Sequence, residues 1–167
     1  MNGWMGKILK IDLSTGKVET ERTEAYVDDF LGGRGIGVRL VYELLKPGTD
    51  ALAPGNPLIF SMGPLTGTAI PSSGRTDITA LSPLSNLRAK SNFGAYWGPE
   101  LKFCGYDHLM ITGKADKPCY IWIKDGQVEI RTDCCGCRKN TGLLLMTGYC
   151  RRHRLALTCR YGSSSGR

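Results

Sequence analysis

Two glycine-rich stretches of the sequence carry residue types suited to binding an anion. The first, GPLTGTAIPSSGR, spans residues 63–75 and ends on Arg75, and the second, KSNFGAYWG, spans residues 90–98 and contains Asn92. Backbone N–H groups beside small residues form concave anion sites, and the planar guanidinium of arginine donates paired hydrogen bonds to phosphate. The first stretch adds hydroxyls at Thr66, Thr68, Ser72 and Ser73. From residue types alone, an anion cradle and two ordinary connecting loops both remain open.

Other familiar chemistries find little support in the sequence. No GxxxxGK[ST] phosphate loop occurs, and the GRGIG segment at 33–37 departs from dinucleotide-binding spacing, which favours a close helix–helix joint there. His108 stands at the start of a predicted strand and is interpreted as structural, with its polar atoms satisfied. Cys104 and Cys119 are predicted to be buried packing residues. No Ser-His-Asp set can be assembled from these residues.

Charge and cysteine divide the chain into two parts. Residues 1–133 contain 15 basic and 15 acidic residues, whereas residues 134–167 contain seven basic residues and no acid, so the net charge of +7 arises entirely in the tail. Five of the seven cysteines also lie there: Cys134, Cys135, Cys137, Cys150 and Cys159. A neutral body does not favour nucleic-acid binding by that part of the chain.

The predicted elements indicate an α+β fold with a largely antiparallel sheet and interspersed short helices. Strands are predicted at 9–13, 17–21, 58–62, 76–81, 109–112, 120–124 and 128–131, and helices at 24–31, 36–45 and 95–103. Turns are predicted at Ser14–Gly16 and at Asp125–Gly126. No apolar run approaches a membrane span, and the N-terminus lacks a signal-peptide pattern, so we expect a cytoplasmic protein.

Several uncommon motifs occur together in residues 3–133. They are GKILKIDLSTG, FLGGRGIG, GPLTGTAIPSSGR, SNFGAYWGPELKFCGYD and GKADKPCYIWIKDG. In this order and spacing they resemble the N-terminal domain of the tungsten-containing aldehyde ferredoxin oxidoreductase family. The resemblance implies that residues 1–133 form part of a domain on which the family's pterin cofactor lies.

The resemblance also implies a cofactor and roles for particular residues. The cofactor is a tungsten (or molybdenum) ion held by two pyranopterins, near a [4Fe-4S] cluster, and the reaction is aldehyde oxidation to a carboxylic acid with ferredoxin as electron acceptor. Arg75 looks like the arginine that binds pterin phosphate. Asn92 looks like the residue whose backbone oxygen ligates a Mg²⁺ joining the two pterin phosphates. Phe93 and Gly94 would lie where pterin approaches the backbone.

The resemblance covers only part of what the family reaction needs. The cluster cysteines and the acid-base residues of the family belong to regions without a counterpart here. We therefore expect that an intact parent protein, rather than this chain, reacts with ferredoxin and an aldehyde substrate and forms a homodimer. The chain alone is expected to be an inactive oxidoreductase fragment with no membrane partner. The alternative is a non-catalytic domain that binds pterin or a partner chain, with a zinc-binding or nucleic-acid-binding tail.

Three interpretations of residues 134–167 remain open. Loss of all acids and of family resemblance at one point favours a frameshifted or truncated reading. A small zinc module is a second interpretation, because His153 and the tail cysteines could supply four ligands. A basic disordered tail that binds nucleic acid or acidic partners is the third.

Overall fold

The computed structural model describes residues 3–117, 119–132 and 154–159, the last of these as backbone. Two β-sheets and three helices account for the regular structure in these ranges. The elements are β1 Lys7–Asp12, β2 Lys17–Arg22, α1 Glu24–Val27, α2 Arg34–Leu44, β3 Leu58–Ser61, β4 Thr76–Leu81, β5 Arg88–Phe93, α3 Trp97–Phe103, β6 His108–Thr112, β7 Cys119–Lys124, β8 Gln127–Arg131 and β9 Arg154–Cys159.

The larger sheet has six strands in the order β2-β1-β6-β3-β4-β5. Its β1–β6 pair is parallel, and its other neighbouring pairs are antiparallel. The smaller sheet has the order β8-β7-β9, and both of its pairs are antiparallel. The predicted α+β class with largely antiparallel sheets is therefore confirmed.

Apolar layers cover both faces of the large sheet. In β1, Ile8 packs into a cluster with helices α1 and α2, whereas its neighbour Leu9 packs into a second cluster with α3 and β7. Successive strand residues point to opposite faces, so this segment is buried on both sides rather than amphipathic. The central strands are thereby fixed between two layers.

Both predicted turns are confirmed by their local geometry. The carboxylate of Asp12 accepts hydrogen bonds from the Ser14 N–H and the Thr15 hydroxyl, each at 2.9 Å. Asp125 and Gly126 both have positive φ, 49° and 80°, as a tight type I′ hairpin between β7 and β8 requires.

The structure differs from the sequence prediction at several elements. Strand β9 was not predicted, β1 begins two residues before its predicted start, and α3 begins two residues after its predicted start. Strand β5 was not predicted, because its sequence RAKSNF is polar and it lies at the sheet edge. Helix α1 ends at Val27 and is therefore shorter than the predicted 24–31. Because Tyr26 is its buried residue, little apolar packing is available to stabilise further turns. Helix α2 begins at Arg34, two residues before the predicted start.

The glycines at the start of α2 bring the helix close to the sheet. A Cβ at Gly37 would lie 2.7 Å from Ser61 Oγ and 3.3 Å from a Thr79 methyl carbon, closer than packed atoms tolerate. The predicted helix–helix joint is therefore a helix–sheet contact at this residue. It places the first turn of α2 against β3 and β4.

A buried ion pair joins three segments that are distant in sequence. Lys102 Nζ lies 3.4 Å from Asp107 Oδ1 and donates to the carbonyl oxygens of Gly3 and Gly63, at 2.5 and 3.0 Å. Both charged side chains are almost fully buried. Asp107 also accepts from the N–H groups of Met5 and Gly6, and from the hydroxyl of Thr23. The pair thus anchors the N-terminal segment, helix α3 and the first residue of the loop at 63–75.

His108 lies beside this pair and is fully buried. Its ring stacks on Trp4 with 6.1 Å between centroids, and neither ring nitrogen has a hydrogen-bond partner among the described residues. Burial lowers the pKa of His108 to about 4, opposed by the nearby Asp107 charge and assisted by Lys102. The ring is therefore neutral in the folded protein at neutral pH, and it is structural in its packing but not satisfied in its hydrogen bonds.

We predict that Lys102→Met strongly destabilises the fold. The substitution keeps the length of the side chain but leaves the Asp107 charge buried without its cation, which costs about 3–5 kcal/mol. The matched control is Lys10→Met, which removes a partly exposed ion pair with Glu21 and should cost about 0–1 kcal/mol. Urea unfolding measures both, and equal losses of stability would contradict the structural role of the Lys102–Asp107 pair.

We also predict that His108 makes folding stability depend on pH. Its folded pKa lies below the unfolded value of about 6.5, so the unfolded chain binds the proton more readily. The contribution of His108 to the free energy of unfolding is therefore fully present above pH 6.5. It falls by about 3 kcal/mol as the pH drops towards 4. His108→Phe keeps an aromatic ring against Trp4 and should flatten the curve of unfolding free energy against pH. Parallel curves for the two proteins would exclude this titration.

Candidate functional site

A surface cleft of about 460 Å³ lies where α2 begins and where β3, β4 and β5 come together. Ser61 ends β3, Asp77 lies at the start of β4, and Asn92 lies near the end of β5. The residues that line the cleft are Gly33, Arg34, Ser61, Gly63, Arg75, Thr76, Asp77 and Asn92.

The strand register explains why residues far apart in sequence meet here. Ser61 pairs with Asp77 across β3 and β4, and Asp77 pairs with Asn92 across β4 and β5. Residues opposite each other on neighbouring strands point to the same face of a sheet. Three polar side chains therefore form a row across the face that α2 covers.

The structure brings together the two residues that the sequence analysis placed at a phosphate site. Arg75 Nη1 donates a hydrogen bond to Asn92 Oδ1 at 2.5 Å, and both residues are exposed on the cleft. This contact fixes one nitrogen of the guanidinium. The rest of that group remains at the cleft surface, where it could face a ligand.

The loop at 63–75 uses several of its hydroxyls to hold its own shape. Thr66 Oγ1 donates to the Ser73 carbonyl at 3.0 Å, Thr68 Oγ1 to Leu65 at 2.7 Å and Ser73 Oγ to Ile70 at 2.8 Å. These bonds close the loop on itself as local turns. Three of the four hydroxyls suggested by the sequence as ligand contacts, those of Thr66, Thr68 and Ser73, therefore have a structural use. Arg75 at the loop end is the loop side chain that lines the cleft.

Phe93 and Gly94 follow Asn92 but differ in what they present. The Phe93 ring packs on Trp97, with 5.4 Å between centroids, and belongs to the apolar layer on the other face of the sheet. A Cβ built on Gly94 would meet no atom within 4 Å. Gly94 thus has open space beside its backbone. Because the Phe93 side chain points to the opposite face of the sheet, only the backbone of Phe93 is available on the face where Asn92 lies.

The sequence analysis missed Arg34 and Asp77 as residues of this site. Arg34 is the first residue of α2, and its Nε lies 3.2 Å from Asp77 Oδ1. The available signal was an arginine within a glycine-rich segment immediately before a predicted helix. Arg34 was not identified as a site residue because the segment at 33–37 lacks the spacing of a nucleotide-binding motif. The segment was interpreted as a helix–helix joint instead.

Three buried polar atoms at the cleft lack a partner among the described residues: Ser61 Oγ, Thr76 Oγ1 and Asp77 Oδ2. Ser61 is 1% exposed and Asp77 is 8% exposed. A buried polar group without a partner costs about 1–3 kcal/mol. Such a cost is typical of positions that receive a ligand or an ordered water.

No group of three or more metal-ligating side chains is assembled within the described ranges. The tail cysteines and His153, for which a zinc module was suggested, lie outside the residues whose side chains are described. Among the described helices, none has the length and apolar character needed to cross a membrane.

Comparison with known proteins gives close sequence relatives. The chain is 43% identical over 132 residues to the tungsten-containing aldehyde ferredoxin oxidoreductase of Pyrococcus furiosus, and 45% identical over 132 residues to that of Pyrococcus horikoshii. Each match covers 78% of this chain and 22% of the relative. The chain thus spans about a fifth of the length of these relatives.

A solved structure shares the fold. The active-site complex BamBC of benzoyl coenzyme A reductase, bound to 1,5-dienoyl-CoA, matches with a TM-score of 0.76 and 34% identity, over 78% of this chain and 20% of that one. The family model for the aldehyde ferredoxin oxidoreductase N-terminal domain matches residues 8–154. With its fold, its motifs and most of its length in agreement, this chain belongs to the aldehyde ferredoxin oxidoreductase family through that N-terminal domain.

Proposed function

We propose that the cleft binds the phosphate of a pyranopterin cofactor that carries tungsten (or molybdenum). The observation that carries the proposal is the contact of Arg75 with Asn92 at the cleft, because it holds a guanidinium in place before any ligand arrives. Two relatives are named as tungsten-containing enzymes, which supports tungsten. The chain would then serve as part of the base on which the cofactor lies.

The residues at the cleft suit this cofactor chemically. Arg75 would donate charge-assisted hydrogen bonds to phosphate oxygens. The side-chain oxygen of Asn92 accepts the Arg75 bond. Its backbone oxygen is proposed, from the family resemblance, to ligate a Mg²⁺ between two pterin phosphates. The open space at Gly94 would let a flat ring system approach the backbone, and Phe93 would contribute through its backbone alone.

The orphaned polar atoms of Ser61 and Asp77 also fit such a ligand. The Ser61 hydroxyl can donate to a phosphate oxygen, and Asp77 Oδ2 can accept from an N–H or O–H group, which a pterin or its ring substituents provide. A ligand with an anionic group and nearby donors would satisfy both. An anion without hydrogen-bond donors, such as sulfate, would satisfy only the first.

The cofactor, when bound, would supply the two-electron oxidation of an aldehyde to a carboxylic acid. The residues of this chain bind and orient it: Arg75 fixes the phosphate, and the rigid loop before it limits how far the phosphate can move. Pro64 and Pro71 reduce the freedom of the unfolded loop, so less entropy is lost when the loop is ordered.

The activity of the whole protein is proposed from its relatives. Ferredoxin is the proposed electron acceptor and an aldehyde the proposed substrate, with a [4Fe-4S] cluster held by regions beyond this chain. The domain boundary at residue 133, a homodimer and a cytoplasmic location remain predictions.

We predict that Arg75→Gln in the complete protein lowers its tungsten and pterin content. Loss of the charge-assisted contact should weaken retention by about 1.5–3 kcal/mol. Arg22→Gln is the matched control, because Arg22 lies on β2 at the opposite edge of the sheet and pairs only loosely with Glu24 at 3.6 Å. Metal analysis and pterin fluorescence of the purified proteins measure the effect. Equal cofactor content in both variants would refute the role of Arg75.

We further predict that the 167-residue chain by itself does not reduce ferredoxin with an aldehyde. The resemblance implies that the cluster cysteines and the acid-base residues of the family belong to regions without a counterpart in this chain, which spans 22% of the length of each of the two relatives. A spectrophotometric assay of ferredoxin reduction checks this, with a complete relative as the positive control. Turnover at an enzymatic rate by the purified chain would show that it is not merely a cofactor base.

A further inference from the structure

Arg34 and the first turn of α2 lie on the same cleft as Arg75, and the family comparison assigns neither of them a role. Helix α2 has 11 residues and begins after Gly33, whose φ of 50° is in the left-handed region. The Gly33 N–H donates to the Met62 carbonyl at 3.0 Å, which fixes the helix start against the end of β3. The positive end of the helix is therefore held at the cleft.

Asp77 holds the Arg34 side chain at a single nitrogen. Arg34 Nε lies 3.2 Å from Asp77 Oδ1, and the two side chains are 52% and 10% exposed. A buried carboxylate thus anchors the inner part of an exposed guanidinium. The bond at Nε leaves the two terminal nitrogens, which form the fork that arginine offers to phosphate.

Ser61 provides an observation independent of the helix end. It is 1% exposed, it lines the cleft, and its hydroxyl has no hydrogen-bond partner among the described residues. The first turn of α2 carries no acidic residue that would neutralise the helix end. A helix N-terminus, a guanidinium and an unpaired hydroxyl donor together favour a bound anion.

The charge of the cleft points the same way. Its charged lining residues, within the part of the chain that is described, are Arg34, Arg75 and Asp77, two cations and one carboxylate. Asp77 Oδ1 is engaged with Arg34 and positions its guanidinium, whereas Oδ2 remains an acceptor for a donor group of the ligand. The excess positive charge and the helix end together suit a doubly charged group better than a single carboxylate.

We propose that Arg34 and the first turn of α2 form, with Arg75, a two-arginine site for a phosphate monoester dianion, in which Asp77 orients Arg34. This inference rests on the proposed function, since it assigns a second arginine to the same phosphate-binding cleft. Ser61 supplies a further hydrogen-bond donor. Specificity for phosphate over a carboxylate would follow from two guanidinium groups and a helix end that line the same cleft.

Titration of the full chain with inorganic phosphate, followed by ³¹P NMR at low salt, tests the proposal. Arg34→Gln should weaken binding by about tenfold, because it removes a charge-assisted contact. The matched control is Arg39→Gln, on the same helix, where Arg39 pairs with Glu43 at 2.7 Å and lies outside the cleft lining. This control should bind phosphate as the wild type does. Arg34→Lys should fall between the two, because it keeps the charge and loses the fork.

The outcomes separate this inference from the proposed function. If Arg75→Gln weakens phosphate binding and Arg34→Gln matches the Arg39→Gln control, the two-arginine site is wrong and the Arg75 site stands. If the wild type shows no saturable binding of phosphate, or neither arginine matters, both proposals fail. Circular dichroism spectra of all variants verify that each is folded as the wild type is.

Discussion

The buried pair of Lys102 and Asp107 is the interaction on which the arrangement of the site depends. It lies at the junction of α3 and β6, and its hydrogen bonds reach the carbonyls of Gly3 and Gly63. Gly63 is where the core strand β3 gives way to the loop that carries Arg75. Burying two charges is costly unless the remaining donors and acceptors are satisfied, and Asp107 satisfies this condition through three further donors. The loop therefore begins from a rigid point.

The register of the sheet strands positions the other side chains of the cleft. Strands β3, β4 and β5 align Ser61, Asp77 and Asn92 in one row, and the close approach of α2 at Gly37 brings Arg34 over the same row. Each functional side chain is supplied by the end of a different element. Such an arrangement holds polar groups in place while leaving a cleft open to a ligand, which is how rigid scaffolds generally present binding sites.

The sequence predicted the parts of this structure in which local signals agree with the fold. The hairpin at Asp125–Gly126 and the turn after Asp12 follow from local backbone preferences, and Arg75 and Asn92 were identified through family motifs. Strand β5 was missed because a polar edge strand has no apolar alternation. Arg34 and Asp77 were missed because their contact joins a helix and a strand 43 positions apart, which no local sequence pattern indicates. The unpaired atoms of Ser61 and Asp77 could be seen only once burial was known.

The cleft between the start of α2 and the ends of β3 and β5 is proposed to receive a phosphate group. A residue-resolved ¹⁵N NMR titration of the chain with 6-hydroxymethylpterin phosphate tests it most directly. We expect saturable shifts at the amides of residues 33–36, 74–77 and 92–94, with little change along β1 and β2. Shifts confined to other surfaces, or no saturable change at all, would contradict it.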